Sequence, residues 1–184
     1  MQMILASNSP RRKEILQKAG YNFEIVSSNY DEKINNLKFS NELVENCAKQ
    51  KALDVQNRIG KDKLIISADT VVVLNDIILG KPKDENEAFE MLKSLSDKTH
   101  FVATSICLAK NEKIITATQK TFVTFKKLSD EEILNYIQTK NPLDKAGSYG
   151  IQDENFDFAI ELNGELNNVI GFPLNLFEEV LKTF

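Results

Sequence analysis

The chain has 184 residues, 42% of them hydrophobic, with a formal net charge of −4 and a sequence pI of about 5.2. A chain of this length buries roughly 70% of its unfolded surface, so residues 1–184 are expected to form a single domain, with room for two lobes. The acidic balance argues against nonspecific nucleic-acid binding, which needs a basic face, while leaving room for a local basic pocket that holds a small anion.

Residues 1–6 read as a short buried strand. Ser9 is a good N-cap and Pro10 suits the first position of a helix over 10–19, with Gly20 as its C′ residue. That start puts Arg11, Arg12 and Lys13 in the first turn, at the positive end of the helix dipole, where each cation costs ~0.3–1 kcal/mol. Free backbone N–H groups point the same way. A strand, a tight turn and a helix start with fixed cations describe a phosphate site, or else an exposed helix start with solvated basic side chains.

Residues 21–27 alternate apolar Phe23 and Ile25 with polar neighbours and read as a strand. Residues 29–39 are polar loop and contain the pair Asp31-Glu32. Ser40 caps a helix running to Ile59, with an apolar stripe of Val44, Ala48, Ala52, Val55 and Ile59. Lys51 lies at the edge of that stripe, either snorkelling to solvent or aimed into a cleft.

Residues 64–68 and 71–74 are β-branched strand sequence on either side of Asp69-Thr70. A carboxylate there is costly to bury unless paired or metal-bound. It marks either a strand end, where α/β folds place active groups, or a turn between strands. Asn75-Asp76 is a turn before 77–79, and Gly80-Lys81-Pro82 breaks the run with a lysine that can reach a phosphate as a point charge. It is not a Walker A sequence.

Asp84 and Glu87 have capping-box spacing before a helix carrying Ala88, Phe89, Leu92 and Leu95. Residues 101–108 and 114–125 form a long hairpin around Lys110-Asn111-Glu112. Ser129 to Glu132 is a second capping box, for a helix with Ile133, Leu134 and Ile137. Residues 141–152 carry turn chemistry, 156–162 and 169–170 suit a hairpin around Asn163-Gly164, and a terminal helix starts at Phe172-Pro173-Leu174. Its apolar face is Leu174, Phe177, Val180 and Leu181.

Cys47 and Cys107 form no C-x-x-C pair and read as small buried thiols in a reducing compartment. No apolar run has the length of a signal peptide or a membrane span, so a cytoplasmic protein is expected. His100, the only histidine, starts an apolar strand and suits a structural role, which makes zinc or Ser-His-Asp chemistry a poor fit. The remaining groups converge on phosphoryl chemistry. Arg12, Lys51 and Lys81 suit a polyphosphate, and Asp69 and Glu32 suit a hard divalent ion and an activated water.

At these residues the chain resembles the Maf family of nucleoside triphosphate pyrophosphatases. The matching stretches are Leu-Ala-Ser-Asn-Ser-Pro-Arg-Arg at 5–12, Lys51-Ala52, Ala-Asp-Thr at 68–70, Gly-Lys-Pro at 80–82 and Thr-His at 99–100. Pro-Leu-Asp-Lys-Ala-Gly-Ser-Tyr-Gly-Ile-Gln at 142–152 and Gly-Phe-Pro-Leu at 171–174 complete the set. The resemblance implies an α/β fold, a mixed twisted sheet with flanking helices and two lobes around a central cleft, often as a homodimer. It implies hydrolysis between the α and β phosphates of a nucleoside triphosphate, with Mg²⁺ or Mn²⁺. Asp69 would activate water, Glu32 would help Asp69 hold the metal, and Ser7, Arg12, Lys51 and Lys81 would bind phosphates. Arg11, Thr70 and Gln152 look like the branch that prefers dTTP and UTP. The family usually has glycine after that glutamine, where this chain has Asp153. Two rivals are a purine-selective pyrophosphatase of the inosine triphosphate type and a nucleotide-binding regulator of septum formation that needs no hydrolysis.

Overall fold

The structure, a computed structural model, describes residues 2–184. Its strands are β1 (Met3–Leu5), β2 (Glu24–Ile25), β3 (Leu64–Leu74), β4 (Ile77–Leu79), β5 (Thr99–Lys110), β6 (Lys113–Phe125) and β7 (Ala159–Asn163). They form one seven-stranded mixed sheet in the order β2-β1-β3-β5-β6-β7, with β4 also on β3. Flanking it are α1 (Pro10–Lys18), α2 (Asn41–Ile59), α3 (Glu85–Leu95), α4 (Asp130–Thr139), the short α5 (Leu166–Ile170) and α6 (Leu174–Thr183). No helix among the described residues is long and apolar enough to cross a membrane.

The long strand β3 organises the molecule. One of its edges pairs with β5 from Ile65 to Val73. The opposite edge is shared: β1 runs parallel to it over Leu64–Ile66, and β4 runs antiparallel over Val72–Leu74. Both strands therefore run toward the middle of β3 and stop short of it. The chain leaving β1 becomes the Ser7–Ser9 turn and the start of α1, and the chain leaving β4 becomes Gly80-Lys81. Two loops are thus delivered to a stretch of β3 that is unpaired along this edge only, and Asp69 and Thr70 lie in it.

Period-two alternation sorts the β3 side chains onto two faces. On one, Leu64, Ile66 and Ala68 pack with Leu5, Leu16, Phe172 and Phe177, while Val72 and Leu74 pack with Leu92, Phe125 and Ile133. Thr70, opposite Thr104, separates those two apolar clusters. On the other face Ile65 packs against Ala48, Ala52 and Val55 of α2, and Val71 and Val73 against Ile34, Val44 and Ile78. Asp69, opposite Ser105, separates those clusters in turn. A polar seam therefore crosses both faces of the sheet between two apolar lobes.

Several expectations from the sequence are met in place, including α1, α2 and the β5–β6 hairpin. The differences have local causes. Asp69 lies at neither a strand end nor a turn: β3 is continuous through it because Lys51 neutralises the carboxylate. The strand expected over 21–27 shrinks to β2, and Ile25 is exposed because this sheet edge is uncovered there. Residues 166–170 form α5 rather than the return of a hairpin, and β7 instead pairs with β6. Leu134 points to solvent while Tyr136 is buried in its place. The box at Ser129 is complete, whereas Glu87 turns its carboxylate to the Lys83 N–H at 2.7 Å, so only the Asp84 half of that box forms. The expected strand over 1–6 is observed as Met3–Leu5, and Met1 lies outside the described residues.

Candidate functional site

A cleft of about 330 Å³ opens over the unpaired stretch of β3. That volume lies in the range of small-ligand sites. Its walls include Arg12 of α1, Glu32 from the loop before α2, Lys51 of α2, Lys81 after β4, and Lys145 and Gln152 from the segment joining α4 to β7.

Lys51 and Asp69 form the floor. Lys51 Nζ is 2.6 Å from Asp69 Oδ1, also contacts Glu32 Oε1, and lies 3.4 Å from the Ala68 carbonyl. Both Lys51 and Asp69 are buried. Lys51 is brought there by helical spacing, three residues after Ala48 and one before Ala52, both of which pack flat on β3. Burial pushes the Asp69 carboxyl above the usual carboxylate range, with Lys51 opposing that rise. At Glu32 burial acts in the same upward sense, but the Lys51 charge and hydrogen bond outweigh it and hold the group low. The floor therefore contains one firmly ionised carboxylate and one with raised proton affinity.

Two carboxylates sharing a single cation are a hard-oxygen donor set. Among the described residues no three His, Cys, Asp or Glu side chains cluster as a metal cage. A divalent ion would fit Glu32 and Asp69, completing its shell with water and phosphate oxygens, as Mg²⁺ commonly does.

Arg12 spans the other side of the seam. Its Nε donates to the Gly171 carbonyl at 2.9 Å, Nη1 to Ser7 Oγ at 3.2 Å and Nη2 to Thr70 Oγ1 at 3.1 Å. Thr70 is 3.0 Å from Thr104 Oγ1, which donates to the Asn168 carbonyl at 2.9 Å. Gly171 adopts φ 126, where a side chain is strained, and so can turn its carbonyl to Arg12. Ser7 is buried and faces the cleft through Arg12 rather than directly.

Lys81 is exposed at the mouth and has no ion-pair partner among the described residues. Its carbonyl accepts from Asn35 Nδ2 at 3.2 Å, which ties its loop to the one carrying Glu32. Arg11 departs from the group. It lines a second cavity of about 540 Å³ beside α1, together with Glu14, Lys18 and Asn167. Gln152 lines both cavities and so joins them. The structure thus gathers Arg12, Glu32, Lys51, Asp69, Thr70, Lys81 and Gln152 around one cleft and sets Arg11 next door.

Lys145, Asp144 and Asp153 were given no role from the sequence, although Asp144-Lys145 belongs to the matching stretch at 142–152 and Asp153 stands where the family usually has glycine. Lys145 lines the cleft and contacts the Asn141 carbonyl, Asp144 Oδ1 at 2.9 Å and Asp153 Oδ2 at 3.9 Å. Asp153 also accepts from the Tyr136 hydroxyl, which receives the Gly150 N–H at 2.9 Å. Taken alone, the charged pair Asp144-Lys145 within a turn-rich stretch resembles solvated surface, and its signal in the sequence is its place in the 142–152 match.

Residues 2–184 match the family described as Maf-like protein. The chain belongs to the Maf family. Its relatives include a dTTP/UTP pyrophosphatase of Alkaliphilus oremlandii (strain OhILAs), 48% identical over 98% of this chain and 95% of that one. Another, from Clostridium botulinum (strain Eklund 17B / Type B), carries the same name and is 46% identical over 99% of this chain and 98% of its own. Among solved structures the fold is similar to the Ham1 protein of Staphylococcus aureus, with a TM-score of 0.55 at 12% identity, covering 100% of this chain and 99% of that one. It is also similar to a nucleoside-triphosphatase / dITP/XTP pyrophosphatase of Mycobacterium abscessus, with a TM-score of 0.51 at 14% identity, covering 100% and 94%. At those identities the Maf chain shares the architecture of these two proteins, and the likeness extends to the fold alone.

Proposed function

We propose that residues 1–184 act as one nucleoside triphosphate pyrophosphatase, hydrolysing dTTP, UTP and related or modified pyrimidine nucleotides to monophosphate and pyrophosphate. The observation that carries this is the buried Lys51–Asp69 pair, joined by the half-buried Glu32, at the base of a cleft whose walls offer Arg12 and Lys81. The names of the relatives support the substrate class.

In this reading Lys81 at the mouth and Arg12 inside neutralise the triphosphate, with Ser7 and Thr70 holding Arg12 in place. Asp69 accepts a proton from the attacking water, and its raised proton affinity strengthens it as a base. Water oxygen attacks the α-phosphorus, the bond from that phosphorus to the α–β bridging oxygen breaks, and pyrophosphate leaves. Lys51 holds Asp69 ionised and aimed until substrate enters. Mg²⁺ or Mn²⁺ held by Glu32 and Asp69 would supply charge neutralisation to the phosphate oxygens. Gln152, which both donates and accepts hydrogen bonds, suits a pyrimidine edge, with Arg11 and Thr70 completing the selection. A homodimer working in the cytoplasm belongs to the same reading. A regulator without hydrolysis is not favoured, since binding alone requires no buried base.

The test is pyrophosphate release from a panel of nucleoside triphosphates, with Mg²⁺ or Mn²⁺ and with chelator. The expected result is metal-dependent release, greatest for dTTP or UTP and reduced by about 100-fold or more in Asp69→Asn. Preference for purines would discard the base assignment, and no release from any nucleotide would overturn the enzyme reading.

A further inference from the structure

One carboxylate outside the seam connects the start of α1 to the segment between α4 and β7. Asp144 Oδ2 receives Arg11 Nη1 at 2.9 Å, its Oδ1 receives Lys145 Nζ at 2.9 Å, and its backbone carbonyl receives Arg11 Nη2 at 3.2 Å. Arg11 is separated from Asp144 by 133 residues. The first turn of α1 holds no acidic residue of its own, although it carries Arg11, Arg12 and Lys13. Asp144 thus brings from a distant segment the anion that the positive end of that helix lacks. The double contact through side chain and carbonyl fixes the plane of the guanidinium as well as its position.

The consequence falls on Gln152. Asp144 opens the turn-rich segment that carries Lys145 at one end and Gln152 at the other. Lys145 lines the first cavity, Arg11 the second, and Gln152 both. The two cations on either side of Gln152 are therefore oriented by the same carboxylate. Arg11 and Lys145 hold Asp144 below the usual carboxylate range, and that effect outweighs the opposing effect of its burial.

We propose that Asp144 is a positioning residue for substrate selection, setting Arg11 and Lys145 on either side of Gln152 so that the base is read in one geometry. This deepens the pyrophosphatase reading and rests on it. Asp144 touches no reacting atom, so its loss moves binding and discrimination while leaving the Lys51–Asp69–Glu32 floor intact. Its carboxylate is 44% exposed, so a neutral replacement is expected to fold.

The experiment is steady-state pyrophosphate release by wild type, Asp144→Asn and Asp144→Glu, with dTTP, UTP and dGTP, alongside melting curves. For Asp144→Asn the expected result is a KM for dTTP and UTP raised about tenfold and pyrimidine-over-purine discrimination reduced about tenfold, with kcat within about twofold. Asp144→Glu, which keeps the charge, should recover part of both. A second pair, Arg11→Ala with and without Asp144→Asn, should show the two losses overlapping rather than adding. Unchanged KM and discrimination in Asp144→Asn, or full additivity with Arg11→Ala, would overturn the proposal. If the wild type itself releases no pyrophosphate, the enzyme reading fails and this proposal, which rests on it, falls with it.

Discussion

Lys51 does two jobs that conflict in most proteins: it is buried, and it is charged. It lies on α2 between the buried Ala48 and Ala52, and its ammonium meets Glu32 and Asp69. Removing one member of a buried ion pair leaves its partner uncompensated, which costs more than the pair itself contributes. Lys51→Met is therefore expected to lower stability by about 3 kcal/mol in chemical denaturation, and adding Asp69→Asn should restore part of that loss. Simple addition of the two single effects would count against this account of the floor. From the sequence, Asp69 stood out because a carboxylate interrupts an apolar run, and Lys51 because it borders an apolar stripe. That they pair with each other was not legible, since nothing in local spacing relates position 51 to position 69.

At the scale of elements, the segment between α4 and β7 depends on close approach. Gly147 has φ 65, its N–H donates to the Gly80 carbonyl at 3.0 Å, and a Cβ on it would come within 2.7 Å of Val72. Gly147→Ala is expected to cost about 2–4 kcal/mol, from left-handed backbone strain and from overpacking against β3. Val72→Ala in the same chain should relieve the packing part, measured as a partial recovery of the denaturation midpoint. The complete capping box of α4 invites a milder test. Ser129→Ala removes the acceptor of the Glu132 N–H and should cost about 1 kcal/mol. Caps, helix lengths and the long hairpin were readable because they depend on neighbours in sequence. The β2 edge and α5 were not, because burial on one face depends on which distant element covers it.

For the whole molecule, His100 is one buried group that makes stability fall in acid. It is buried beneath Phe125 and Tyr149, with Nε2 2.8 Å from the Tyr149 hydroxyl and no partner for Nδ1 among the described residues. Burial pushes its pKa down to about 4 from an ordinary 6.5. The unfolded chain therefore takes up a proton at a pH where the folded chain does not. The associated stability is fully present above about pH 6.5 and is lost as pH falls toward 4, amounting to about 3 kcal/mol. His100→Phe should flatten that slope between pH 4 and 7 in denaturant titrations, and an unaltered slope would mean that other groups set the acid limit.

Residue type and spacing already specify the longer helices, the alternation that builds the sheet, and the identity of the groups able to handle a triphosphate. Those properties follow from residue type and short-range spacing, which act whatever the rest of the chain does. Long-range packing sets the rest: Asp69 lies inside an unbroken strand, β1 and β4 run toward each other and leave one edge of that strand free, and Asp144 reaches back to Arg11. Each of these joins residues far apart in the chain, and their energies come from shared burial and charge pairing, which exist only once the two sides have met.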